Sequence, residues 1–381
     1  MRLMIKEYSL LSSADGRLGG PLIGFHALSS ARLGRFALVF LCSMLLLPAQ
    51  PSDLLTPPAK LPGPAPKLAP LLVEPSGQAI ASQAAWLRQR AVLLTQWQDA
   101  IGHFPARKAP LETKILSTEE LPDFFRQHVQ YQIEEGVLTD GYLLIPKGAQ
   151  GKLPAVVVFH QTTASQAKQV AGIDQSAPEL MQGVQLVRRG YVVFCPRCFI
   201  FDEGGKYADH VARMQTRHPD WTGMARMTWD AVRALDFVES LPNVDSRRIG
   251  GIGHSLGAKE VLYAAAFDER YKVAVFSEGG IGLGFSNWQA GWYLGPKIRE
   301  PGFRLDHHQL IALIAPRAFL LLGGESADGD RSWPYIEAAR PVYTLFGAPA
   351  SIGWLNHRTG HRYPPVARQT AEAFLDAHLK K

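Results

Sequence analysis

The stretch Arg248-Ile249-Gly250-Gly251-Ile252-Gly253-His254-Ser255-Leu256-Gly257-Ala258 decides how this chain folds. Arg248–Gly253 is apolar and glycine-rich, as a strand buried on both faces is, and Ala258–Ala266 reads as a helix. Between them Gly253-His254-Ser255-Leu256-Gly257 leaves room for a single sharp turn. Glycines at both ends let the strand and the helix come close, and the turn lifts the Ser255 hydroxyl above the sheet edge. A Gly-x-Ser-x-Gly pattern alone arises by chance in surface turns. A strand before it and a helix after it give the pattern its meaning.

Working outward, Val129–Ile133 and Leu138–Ile145 are strand-like, and Ala155–Phe159 (Ala-Val-Val-Val-Phe) is a continuous apolar strand. Helical sequence around Glu179–Arg189 leads to the strand Tyr191–Phe194, and a long helix fits Met224–Leu241. Lys272–Phe276 and Ala318–Leu322 are further strands, and a last helix covers about Val366–Leu379. Buried strands alternating with helices predict an α/β domain, a mostly parallel central sheet with helices on both faces. Upstream, Ala79–Ala100 has helical spacing, and 50–77 is a Pro-rich stretch that reads as a stiff linker. The catalytic domain is expected over 78–381.

The first 49 residues carry five cations and two anions, so they supply +3 of the formal net charge of +6. The remainder is only mildly basic and has no dense Lys/Arg run, which gives a nucleic-acid partner no support. Arg32 and Arg35 precede the apolar run Phe36–Leu47, followed by Pro48-Ala49. A positive flank, a short apolar core and a small residue near the cut describe a signal peptide region over 1–49, and a periplasmic or secreted protein. The run is short for a membrane span, so no stable membrane anchor is expected. Cys195-Pro196-Arg197-Cys198 follows a strand and has no second pair to complete a zinc site. It reads as two loop thiols or a local disulfide. No metal or organic cofactor is implied.

A serine nucleophile needs a base, an acid to orient that base, and donors for the oxyanion. The strand–turn–helix context resembles the nucleophile elbow of the α/β-hydrolase fold, in which acid and then histidine follow the serine along the chain. His361, in a loop before the last helix, fits the base, with His357 second; His307 and His308 come too early. The acid is expected after Ala318–Leu322, in Gly323-Gly324-Glu325-Ser326-Ala327-Asp328-Gly329-Asp330. Asp328 is preferred by its distance from the strand, with Asp330 and Glu325 as alternatives. Glu278, just past Lys272–Phe276, is a second position. The oxyanion donors are the N–H groups of Leu256 and of Gln161, or its neighbour Thr162.

With these residues placed, the chain resembles the bacterial carbohydrate-esterase branch of the α/β hydrolases: acetyl xylan esterases, glucuronoyl esterases and dienelactone-hydrolase-like proteins. The local signatures are Gly141-Tyr142-Leu143-Leu144-Ile145-Pro146, Arg248-Ile249-Gly250, Ala315-Pro316-Arg317 and Pro341-Val342-Tyr343. The resemblance to glucuronoyl esterases implies that Lys259 contacts a sugar acid and that Glu278 holds that family's alternative acid position. It also suggests that Trp288 and Trp292 line a sugar cleft. One position departs: that family carries Arg directly after the nucleophile, and here the residue is Leu256. The expectation is therefore a serine hydrolase acting on a small-molecule or carbohydrate ester. The competing readings are a non-catalytic hydrolase-fold binding protein, or a lactone hydrolase or peptidase of the same fold.

Overall fold

The computed structural model describes residues 53–74, 76–201 and 205–380. The expected signal region, 1–49, lies outside them. The strands are β1 Lys114–Glu120, β2 Phe124–Glu134, β3 Val137–Pro146, β4 Leu153–Phe159, β5 Val192–Pro196, β6 Val244–His254, β7 Tyr271–Ser277, β8 Ala318–Gly323 and β9 Ile352–Asn356. They form one sheet in the order β1-β2-β3-β5-β4-β6-β7-β8-β9. β1, β2, β3 and β5 pair antiparallel, and from β5 to β9 every pairing is parallel. This is the α/β-hydrolase fold, with a mostly parallel sheet.

Period-two alternation divides each central strand between two cores. Ala155, Val157 and Phe159 of β4 pack into one core with the helices Gln83–Ile101, Gly223–Ser240, Leu256–Phe267 and His308–Ile314. Val156 and Val158 pack into the other, with Gln182–Val187 and Pro365–Leu379. β8 does the same, Phe319 and Leu321 facing one way, Leu320 and Leu322 the other. A strand with apolar residues on both faces therefore carries helices on both faces, as the Ala-Val-Val-Val-Phe run foretold.

The Pro-rich segment is not a free linker. Leu54 and Leu71 are buried, Leu61 and Leu68 pack against the core, Val73 bridges Ala79, and His308 Nε2 donates to Ala69 O at 2.9 Å. Its leucines, spaced between prolines, give it apolar anchors that a solvated spacer lacks. Cys195 and Cys198 are buried free thiols, and burial pushes both up from the ordinary thiol range.

Candidate active site

β6 ends at His254, and the helix Leu256–Phe267 begins one residue after Ser255. Ser255 has φ 57° and ψ −113°, and a non-glycine residue at positive φ costs about 1–3 kcal/mol. Its surroundings impose that conformation. A Cβ on Gly253 would lie 2.1 Å from Gly257 O, and a Cβ on Gly257 would lie 2.0 Å from Phe159 O. Ser255 N donates to Ser277 O at 2.8 Å, which ties the turn to the end of β7. Both glycines are thus required by close approach, and the turn is wedged between β4 and β7.

Leu256 opens the helix, so its N–H has no acceptor within the helix. Gln161 follows β4, whose last carbonyl lies against Gly257. The Gln161 loop is braced from below. His160 Nδ1 donates to Gln161 O at 2.7 Å, and Cys198 N donates to His160 Nε2 at 3.2 Å. Burial lowers His160 to about 4, so its ring is neutral and these bonds fix its tautomer. The Gln161 side chain donates to Gln169.

The two candidate acids have different partners. Glu278 directly follows β7, with φ 53°, and its side chain is fully buried. His361 Nδ1 donates to Glu278 Oε2 at 3.0 Å. Ala327 N also donates to Oε2, at 2.8 Å, and Gly324 N donates to Oε1. Asp328 faces away from this pair. Its oxygens accept Gly280 N at 2.6 Å, Ile281 N at 2.8 Å and Ser332 Oγ at 2.8 Å. Of the two expected acid positions, it is Glu278 and not the preferred Asp328 that hydrogen-bonds His361. The loop after β8 presents backbone N–H groups to Glu278, and the Asp328 side chain turns under the β7 loop. Asp330 and Glu325 are held by Arg358, at 2.8 and 3.4 Å, on the loop leading to His361.

His361 is open to solvent, its side chain 43% exposed against 0% for Glu278. His357 instead bonds Thr359 Oγ1 at 2.8 Å. Sequence reasoning missed His254, whose ring centroid lies 4.9 Å from that of His361. Burial, with His361 beside it, lowers His254 to about 3, so it adds no positive charge next to the site. Its position immediately before Ser255 was the available signal.

Lys259 and Trp288, expected to touch substrate, are instead packed inside. Lys259 is 2% exposed and donates to Gly279 O at 2.6 Å. Its Nζ stands 3.9 Å from the centre of the Trp288 ring. Trp288 is fully buried, and its Nε1 donates to Gly280 O at 2.6 Å. The Trp288 ring, and that of Tyr293 at 5.1 Å, close over the Lys259 head group. Among the described residues no group of three or more His, Cys, Asp or Glu is arranged to hold a metal ion.

The Dienelactone hydrolase family profile matches residues 139–281, a span that includes both Ser255 and Glu278. YtaP of Bacillus subtilis, named as a hydrolase, is 28% identical over 304 residues, 73% of this chain and 96% of its own. A 4-O-methyl-glucuronoyl methylesterase of Sodiomyces alcalophilus is 27% identical, over 42% of this chain and 38% of its own length. In structure, the glucuronoyl esterase of Solibacter usitatus superposes with a TM-score of 0.71 at 22% identity, covering 84% of this chain and all of that one. A CE15 glucuronoyl esterase of Teredinibacter turnerae gives 0.64 at 25% identity, covering 81% and 89%. The sheet, the elbow and these relatives define the class: the chain is a hydrolase of the α/β-hydrolase fold. Within that class it is a carboxylic ester hydrolase, and its similarities run to the dienelactone hydrolases and the carbohydrate esterases.

Proposed function

We propose that the chain cleaves a carboxylic ester carried by a carbohydrate, through a Ser255–His361–Glu278 triad. The observation that carries this reading is the His361 Nδ1–Glu278 Oε2 hydrogen bond of 3.0 Å, made beside a serine held at positive φ. Glu278 keeps the Nδ1 proton on the ring, so Nε2 is left to take the Ser255 proton. Ser255 Oγ attacks the ester carbon, and the carbonyl electrons move to oxygen, where the N–H groups of Leu256 and Gln161 stabilise the charge. As the tetrahedral species collapses, His361 gives its proton to the leaving alkoxide, releasing an alcohol and leaving an acyl-enzyme. Water, deprotonated by His361, then releases the acid and restores Ser255.

The carbohydrate assignment is supported by the names of the relatives, several of which are glucuronoyl esterases. Leu256, where the resemblance to glucuronoyl esterases implies Arg, argues for an ester whose carbonyl is stabilised by backbone N–H groups alone. Export is proposed from the basic-apolar-small pattern before residue 50. The test is Ser255→Ala, assayed on nitrophenyl acetate, acetylated sugars and methyl glucuronate. Activity should fall by at least about 10³-fold on whichever ester is cleaved, and fluorophosphonate labelling should disappear. Full activity in the variant would overturn the proposal.

A further inference from the structure

The three residues after Glu278 have no regular secondary structure, yet nearly every backbone polar atom is held by a buried side chain. Gly279 O accepts Lys259 Nζ at 2.6 Å, and Gly280 O accepts Trp288 Nε1 at 2.6 Å. Gly280 N and Ile281 N donate to the two oxygens of Asp328 at 2.6 and 2.8 Å. Ile281 O accepts His307 Nδ1 at 2.8 Å. The four side chains come from four separate segments, and their residues are 0–2% exposed. They are secured in turn. Ser332 Oγ donates to Asp328, Tyr263 Oη donates to His307 Nε2 at 2.9 Å, and the Lys259 ammonium lies over the Trp288 ring.

Buried backbone groups outside helices and sheets need partners, but a single water or neighbouring loop ordinarily supplies each one. Here four large polar side chains converge on three residues. Directly upstream of the stretch they hold, Glu278 has φ 53°, a conformation that strains a non-glycine residue. Its carboxylate is the one that meets His361.

We propose that Lys259, Trp288, His307 and Asp328 are positioning residues. They form a clamp on Gly279–Ile281 that sets where the Glu278 carboxylate stands against His361, and they do not contact the substrate. This rests on the triad reading. It assigns Lys259 a different task from the sugar contact that the resemblance implies. Lys259 is 2% exposed, with its Nζ on Gly279 O and under the Trp288 ring, so burial closes it off from a substrate hydroxyl group. Burial lowers Lys259 to about 7, and a neutral amine donates to Gly279 O as an ammonium does, so the clamp does not depend on the lysine's charge.

The test uses the full chain and three variants. Lys259→Met keeps the length and loses the donor, Trp288→Phe keeps an aromatic ring and loses the Nε1–Gly280 O bond, and Ser255→Ala is the reference. kcat and KM are measured on nitrophenyl acetate, which has no sugar, and on methyl glucuronate. A misplaced acid should lower kcat of Lys259→Met about 10- to 100-fold, by the same factor on both esters and with KM within about twofold. Trp288→Phe should fall in the same pattern by a smaller factor, and it carries the test if Lys259→Met does not fold. A rise in KM confined to methyl glucuronate would return Lys259 to substrate binding and overturn the clamp. Unchanged kcat in both variants would also overturn it. An active Ser255→Ala would instead refute the triad on which the clamp rests.

Discussion

A carboxylate that orients a histidine must itself be oriented, and Glu278 is held by the N–H groups of Gly324 and Ala327. Asp328 lies one residue beyond Ala327 on the same loop, and two N–H groups of the β7 loop hold its side chain in the same way. The two loops thus exchange carboxylates: each supplies an acid to the other's backbone. In the sequence both acids stand just past a buried apolar strand, and distance from the strand favours Asp328. What separates them is which backbone N–H groups each oxygen meets, and that depends on two loops from distant parts of the chain. The turn at Ser255, the helix opening at Leu256 and a late histidine that meets an acid were legible, because they depend on chain order and on one local turn. Glu278→Gln tests the assignment. An amide in place of the carboxylate presents an NH₂ to a backbone N–H or to His361 Nδ1, which favours the wrong imidazole tautomer. kcat should fall about 10³- to 10⁴-fold, measured on nitrophenyl acetate with the fold checked by circular dichroism. A loss below tenfold, with Asp328→Asn losing more, would restore Asp328.

At the scale of elements, the strands read from the sequence were parts of β2 and β3 (Val129–Ile133 and Leu138–Ile145) and the strands β4 to β8, whose apolar runs need no partner to be recognised. β1 (Lys-Ile-Leu-Ser-Thr-Glu-Glu) was missed because every residue in it is exposed. It is an edge strand defined by its pairing with β2, and it lacks apolar alternation. β9 was missed because it is five residues long and contains a glycine. The helix Trp333–Leu345 was hidden by its internal Pro341. The joint between β6 and the following helix also carries a prediction. Gly257 lies in that helix, where alanine would ordinarily be preferred over glycine by about 1 kcal/mol. Close approach decides the other way, because the added methyl would stand 2.0 Å from Phe159 O, a backbone atom of a central strand. Gly257→Ala should therefore lower the thermal midpoint and abolish fluorophosphonate labelling of Ser255. A variant as stable and as reactive as the parent would mean that strand and helix are not pressed together there.

Over the whole molecule, the segment read as a spacer acts as a strap. Composition signalled its prolines, while the contacts of Leu54, Leu71 and Ala69 depend on surfaces that exist only after the domain folds. His308, which holds Ala69, belongs to a set of buried histidines whose burial bears on stability in acid. Burial lowers His254 and His307 to about 3 and His160 and His308 to about 4. In the unfolded chain each returns to about 6.5. As pH falls below that value, the unfolded state takes up protons that the folded state refuses, so each histidine removes stability down to its folded value. Buried acids oppose this. Glu260 is raised to about 8 and Asp328 to about 6, both mainly by burial, so they hold protons when folded and favour the fold as pH falls toward their unfolded values. Burial also raises Asp306 and Glu372, and between pH 6 and 4.5 the four strongly shifted histidines outweigh these acids together. Stability should therefore fall across that window, read as the thermal midpoint by calorimetry. His308→Gln keeps an N–H donor toward Ala69 O and removes one titrating ring. It should make the fall shallower by up to about 1.4 kcal/mol per pH unit, one proton's share. A midpoint that stays level or rises on acidification would show that the histidines are not buried neutral as a set. An unchanged slope in His308→Gln would remove His308 from it.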